Sequence, residues 1–261
     1  MIDYTFSMYE LEYLLLVIVR VTCFIYTAPF FSLSNVPHRV KITIGIFLSY
    51  LLYHGMYPHE RVVYATLMEY SVIVLKEACT GLLIGLSAGV CSTIILFAGR
   101  MMDMEIGLAM ASEYDPTTKE TSSVSGILYQ YLLLMILVLS GLHQYLIKAL
   151  AETYTLLPVN GAVLGTDRML TAFIDFMGRY INVGFRICLP VFCALMITNC
   201  ILGIMAKVAP QMNMFAVGMQ IKLLFGLGVM FLTVGMLPYI SDFIFTEMKT
   251  MMVSFVEAMM A

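Results

Sequence analysis

The sequence has no tryptophan, and only 12% of its residues are charged. A soluble domain usually carries about 25% charged residues. Half that share leaves no solvated face for a soluble protein of this size. The formal net charge of −3 comes with no basic stripe, which argues against nucleic acid as a partner. There is no lysine and arginine cluster for an anionic lipid surface either. Histidine is scarce. His38, His54, His59 and His143 have no metal-ligand spacing, and no zinc, phosphate-loop or nucleophile-elbow motif occurs. No C-x-x-C pair exists among Cys23, Cys79, Cys91, Cys188, Cys193 and Cys200. All six lie in apolar stretches, where cysteine serves as a small hydrophobe. The residues therefore offer no metal, no cofactor and no catalytic constellation. The N-terminal acids Asp3, Glu10 and Glu12 replace the positive region of a cleavable signal, so the first apolar segment is expected to stay in the protein.

What the chain has is apolar length: 61% hydrophobic residues and a mean hydropathy of +0.92. A bilayer-spanning helix needs roughly 20 mostly apolar residues. Candidate stretches are Leu11–Phe31, Lys41–Tyr57, Val62–Leu75, Ala78–Gly99, Thr121–Ile147, Ile187–Ala206 and Leu223–Ser241, followed by an amphipathic end, Phe243–Ala261. The pattern predicts an all-α membrane protein of about six long apolar helices, with residues 1–261 as a single membrane domain. Orientation cannot be read, because lysine and arginine divide almost evenly between the two sides. Several charges stand at membrane depth: Arg20, Glu69, Lys76, Glu77, Lys207 and Lys222. Such groups face protein or water, or snorkel from helix ends. Breaks at Pro29, Pro190, Pro210 and Pro238 point to kinked helical hairpins.

Gly81, Gly85 and Gly89 recur every four residues. They share one helix face, which invites close approach by another backbone in this chain or another. The 23 methionines cluster after Gly99 and around Pro210. They serve either as packing filler or as a deformable seal. Between two strong apolar stretches lie Asp103, Glu105, Glu113 and Asp115. They fit a solvated loop, or a proton or cation path. Within residues 100–123, the small apolar run Gly107-Leu108-Ala109-Met110 precedes an Asp115-Pro116 turn. Ser122 and Ser123 can cap the next helix. The build is an apolar tongue between two rigid helices, suited to a gate or plug.

Here the chain resembles the FliR family of flagellar export-gate proteins and its injectisome counterparts. Five ordered blocks carry the resemblance. They are Arg20 with Ala28-Pro29-Phe30-Phe31 and Val36-Pro37; Gly107-Leu108-Ala109 with Asp115-Pro116-Thr117-Thr118 and Ser122-Ser123; Gly141 and His143 with Leu157-Pro158; Leu189-Pro190; and Leu202-Gly203 with Ala209-Pro210-Gln211-Met212-Asn213-Met214-Phe215. Lys207, Lys119 and Ser140 depart from the family pattern. The resemblance implies a single-copy, non-enzymatic subunit of a type III export gate in the bacterial inner membrane and flagellar basal body. It would assemble with FliP-like and FliQ-like chains into a hetero-oligomeric helical ring beside FlhB-like and FlhA-like proteins. Unfolded flagellar subunits would pass through the ring, and lipids would surround it. The resemblance also implies that residues 100–123 are the channel plug. Assembly contacts would fall on Arg20, Pro29, Pro37, Gly81, Gly85, Gly89, Gly141, His143, Lys207, Pro210, Gln211, Asn213, Phe215 and Lys222. An injectisome subunit and a proton-coupled small-solute transporter are the alternative readings.

Overall fold

The computed structural model describes residues 8–32, 36–56, 62–111, 114–115, 120–121, 123–163, 165–211 and 213–260. Within these, the side chains at 91, 110, 111, 114, 115, 120, 121, 166, 214 and 215 are not described. The described residues form helices α1 (Met8–Thr27), α2 (His38–Gly55), α3 (Leu67–Ile106), α4 (Val124–Leu139), α5 (Leu142–Leu156), α6 (Thr166–Val208), α7 (Met214–Val234) and α8 (Leu237–Met259). A single 3-10 turn, Leu108–Ala111, and a two-residue antiparallel ladder interrupt this between α3 and α4. In the ladder, β1 (Tyr114–Asp115) pairs with β2 (Glu120–Thr121). The chain is thus a helical membrane protein. Among the described residues, three stretches are long and apolar enough to cross a bilayer: Leu67–Val90, Asp167–Val208 and Ala216–Val234. Helices α4 and α5 meet that test together as a bent pair.

Several boundaries differ from the hydropathy reading: Thr121–Ile147 is bent between α4 and α5, and α6 starts at Thr166 and runs through Pro190 without the expected break. Lys76 and Glu77 separate two apolar stretches in the sequence, yet α3 runs through them without a break. Lysine and glutamate are good helix formers, so charge lowers hydropathy there without ending the helix. Conversely, the apolar run Leu223–Ser241 is cut at Gly235–Met236, and Pro238 sits in the first turn of α8. At about 1.5 Å per residue, the 40 residues of α3 and the 43 of α6 each extend some 60 Å. That is about twice the ~30 Å hydrocarbon thickness.

The chain packs into two compact units. The first comprises Met1–Val90, Gly141–Phe176 and Glu247–Ala261, and the second Cys91–Ser140 and Met177–Thr246. In the first unit, α1 buries Leu16, Val17, Arg20, Val21, Phe24 and Ile25, one stripe at helical spacing. Helix α2 presents Lys41, Gly45 and Ser49, again every fourth residue, and Gly45 lies against the Thr22 side chain of α1. The Phe176 and Phe255 rings pack 5.4 Å apart, and Val163 N–H donates to the Met259 carbonyl at 2.9 Å, which docks the end of α8. In the second unit, Phe97 packs on Tyr180 and Phe185 of α6. Gly184 leaves room for the Phe97 ring, which a Cβ would meet. The Tyr180 hydroxyl donates to the Thr93 carbonyl at 3.1 Å. Gly141 starts α5 with φ +75, a left-handed conformation that glycine adopts without penalty.

Candidate functional site

The apolar tongue is rooted in the second unit. Helix α3 extends to Ile106, so residues 100–106 are helical and the non-helical segment starts at Gly107, whose φ is +93. Leu108 is half-buried and Ala109 exposed. The tongue's other root is Ser123, the N-cap of α4, whose hydroxyl oxygen accepts from Gly126 N–H at 2.9 Å.

One carboxylate joins these roots. Asp103 is only 4% exposed. The Ser123 hydroxyl donates to its Oδ2 at 2.7 Å, the Ser125 hydroxyl donates to its Oδ1, and the Ser125 N–H is shared between both oxygens at 3.3 Å. The contact continues along α4. The Tyr129 hydroxyl donates to the Met230 carbonyl at 2.9 Å and lies 2.5 Å from Thr233 Oγ1, linking α4 to α7. Asp103 therefore belongs neither to a solvated loop nor to an open ion path, because buried hydroxyls and an amide hold its oxygens. A cavity of about 290 Å³ opens beside this root. It brings Gly107 and Lys222 together with Glu105, Asn199 and the side chains of Met104 and Met219.

A second constellation lies in the first unit. Arg20 and Glu77 are both fully buried and make a two-pronged ion pair, Nε to Oε2 at 2.5 Å and NH2 to Oε1 at 3.0 Å. The remaining arginine prong donates to the Leu157 carbonyl at 2.9 Å. The guanidinium stacks over the Tyr154 ring, 4.3 Å from its centre. Glu77 Oε1 also accepts from Asn160 N–H at 2.9 Å. Asn160 has φ +67, a value that asparagine tolerates better than most residues. One ion pair thus ties α1, α3 and the α5–α6 connection together. Arg20 does not snorkel. A planar fork matched to a carboxylate is a task lysine cannot do.

Directly along the same helices runs the glycine face. A Cβ at Gly81 would collide with the Arg20 carbonyl. One at Gly85 would stand 2.8 Å from the Phe24 carbonyl oxygen, and one at Gly89 2.7 Å from that of Thr27. The backbone that approaches the three glycines is α1 of the same chain.

Other residues singled out from the sequence are placed as follows. Pro29 is buried in the turn after α1, where Phe30 takes φ +69, and Pro37 precedes the first turn of α2. His143 is half-buried on α5, and its Nδ1 is buried with no hydrogen-bond partner among the described residues. Lys207, Pro210 and Gln211 are placed at the α6–α7 turn, all three exposed, and Asn213 caps α7 by accepting from Ala216 N–H at 3.5 Å. Pro116 and Ser122 lie outside the described residues, as do the side chains of Met110, Asp115 and Phe215. Sequence reasoning flagged Glu77 as a charge at membrane depth but did not pair it with Arg20. It did not single out Ser125 or Tyr129. The pairing signal was available for Glu77: an apolar region with one strong cation and few anions calls for a partner. Ser125 carries no such signal.

Comparison with known proteins bears on the whole chain. A family model described as "Bacterial export proteins, family 1" matches residues 11–248. The flagellar biosynthetic protein FliR of Pectobacterium carotovorum subsp. carotovorum is 26% identical over 229 residues, covering 88% of this chain and 87% of that protein. The FliR of Bacillus subtilis (strain 168) is 26% identical over 211 residues, 80% and 81% of the two chains. That of Aquifex aeolicus (strain VF5) is 28% identical over 240 residues, 88% and 90%.

Proposed function

The chain belongs to the bacterial export proteins, family 1, and from this we propose that it is a subunit of the flagellar type III protein export gate in the bacterial inner membrane. The match along residues 11–248 carries the reading. The chain acts as a single export-gate domain, a structural subunit and not an enzyme. It assembles with FliP-like and FliQ-like chains into a helical ring, next to FlhB-like and FlhA-like proteins. Exported flagellar subunits pass through that ring unfolded. The flagellar branch is favoured over the injectisome by Asp115-Pro116-Thr117-Thr118, by Gly141 and His143, and by the naming of the relatives above.

The segment from Gly107 to Ser123 acts as the plug, with Leu108, Ala109 and Met110 sealing the channel against ions. Apolar side chains in a narrow passage exclude water, and methionine adapts to an irregular partner surface. Removing Gly107–Ser122 is expected to leave the complex assembled and to raise its ion permeability. Conductance of the purified complex in vesicles checks this, and an unchanged conductance removes the plug role. The transporter reading needs ionisable groups in a water path. Arg20 and Glu77 instead saturate each other at zero exposure.

The α6–α7 turn is the assembly contact in this reading, because Lys207, Pro210 and Gln211 are all exposed there. Asn213→Ala removes the cap of α7, which costs about 0.5–2 kcal/mol, and Pro210→Ala loosens the turn. Both are expected to lower the yield of intact complex severalfold while the chain still inserts. Wild-type yield from both variants rules the turn out as a contact. The whole reading is tested by gentle-detergent isolation and native mass spectrometry. One copy of this chain bound to several small apolar partners supports it. A lone chain or a symmetric homo-oligomer overturns it.

A further inference from the structure

We infer that Asp103 is a positioning residue of the gate. It clasps the end of α3 to the start of α4, so that the sealing segment works from a root that stays closed during transport. This rests on the export-gate reading and adds to it the residue that holds the root together.

Three observations meet at this root. The first is the carboxylate itself, buried and receiving two hydroxyls and one amide from the far side of the tongue. Hydrogen bonds to an ionised group are stronger than neutral ones, and a buried acceptor left unmet is costly. The second lies one turn deeper. Gly99 and Gly126 face each other so closely that a Cβ on Gly99 would collide with the Gly126 Cα. Parting the helices there would undo backbone-to-backbone packing and leave a void. The third is Tyr129, whose hydroxyl fastens α4 to Met230 and Thr233 of α7. All three lie on the helix side of Gly107. At Gly107 the backbone leaves the helix with φ +93.

The clasp is tested in the assembled complex with Asp103→Asn, Ser125→Ala and the pair Asp103→Cys/Ser125→Cys. Ion flux is measured in vesicles and flagellar subunit export in cells. The two single variants are expected to assemble at wild-type yield and to leak roughly tenfold more, the shift that loss of one charge-assisted hydrogen bond brings. The cysteine pair is expected to leak when reduced, to seal when oxidised, and still to export when oxidised. An oxidised pair that seals but no longer exports shows that the roots must part, and overturns the inference. So does failure of the disulfide to form, wild-type tightness in both single variants, or failure of all three variants to assemble, which would make Asp103 an ordinary folding residue. The Gly107–Ser122 deletion in the same assay separates the two readings. A leak from the deletion without one from the Asp103 and Ser125 variants rejects the clasp and keeps the gate. No leak from the deletion either rejects the plug itself.

Discussion

Arg20→Ala is expected to abolish recovery of the intact complex. The substitution leaves Glu77 charged, fully buried and without its guanidinium, and it frees the Leu157 carbonyl and the Tyr154 ring at once. Breaking a buried pair by removing one partner costs about 3–5 kcal/mol, a large share of the roughly 5–15 kcal/mol that a folded domain usually holds in reserve. Arg20→Lys is expected to fall between wild type and alanine, because an ammonium keeps the charge and loses the two-pronged fit. The informative comparison is Arg20→Met with Glu77→Leu. Replacing both charges by apolar side chains of similar size removes the desolvation cost along with the attraction, and such swaps are often neutral or stabilising. Recovery of complex in the double variant, beside its loss in Arg20→Ala, identifies an uncompensated charge as the cause. The readouts are complex yield and the thermal midpoint of the solubilised protein. Arg20→Ala assembling at wild-type yield would sink the assignment of this pair as the tie between α1, α3 and the α5–α6 connection.

Gly85→Val is expected to be nearly as damaging, for a different reason. Helix α1 passes α3 with its own backbone against Gly81, Gly85 and Gly89, so an added side chain meets carbonyl and Cα atoms that cannot rotate away. Inserting methylenes into a packed interior costs about 1–3 kcal/mol even where side chains can adjust. Here α1 must shift as a whole, and that shift pulls Arg20 off Glu77. Glycine elsewhere in the helices supplies the control. At Gly178 and Gly203 of α6, no described atom outside the helix's own local backbone lies within 4 Å of where a Cβ would stand. Alanine at an open helix-interior glycine is worth roughly 0.5–1 kcal/mol in favour of the helix. Gly178→Ala is therefore expected to leave the thermal midpoint unchanged or raised, while Gly85→Val lowers complex yield sharply. Equal behaviour of the two variants would show that the glycine face is not a packing seam.

These two predictions also mark how far the amino-acid pattern reaches. Spacing alone placed Gly81, Gly85 and Gly89 on one face and predicted a close neighbour. It could not name that neighbour, since small residues admit any backbone. Hydropathy divided α3 at Lys76 and Glu77, although the helix is continuous there. A hydropathy window sums transfer costs residue by residue. It is blind to a partner that cancels one of them, and Glu77 has such a partner 57 residues away. Of the tongue, Gly107 and the cap Ser123 were legible, while Pro116 and Ser122 lie outside the described residues. Asp103 was legible only as one acid among four, because burial decides whether a carboxylate is a solvated group or a clasp.

By itself the sequence determined the class of the protein. Sparse charge and long apolar runs act through each residue's own affinity for water, and the family-like blocks follow from their order along the chain. The tertiary structure decided which groups meet. Arg20 finds Glu77, the glycine face finds α1, and Asp103 finds Ser123 and Ser125. Such pairings depend on how the chain closes back on itself, and that information is in no single segment. In a membrane protein an unpaired charge is too costly to leave facing lipid, so the need for partners could be read from composition, but their identity had to come from the packed helices.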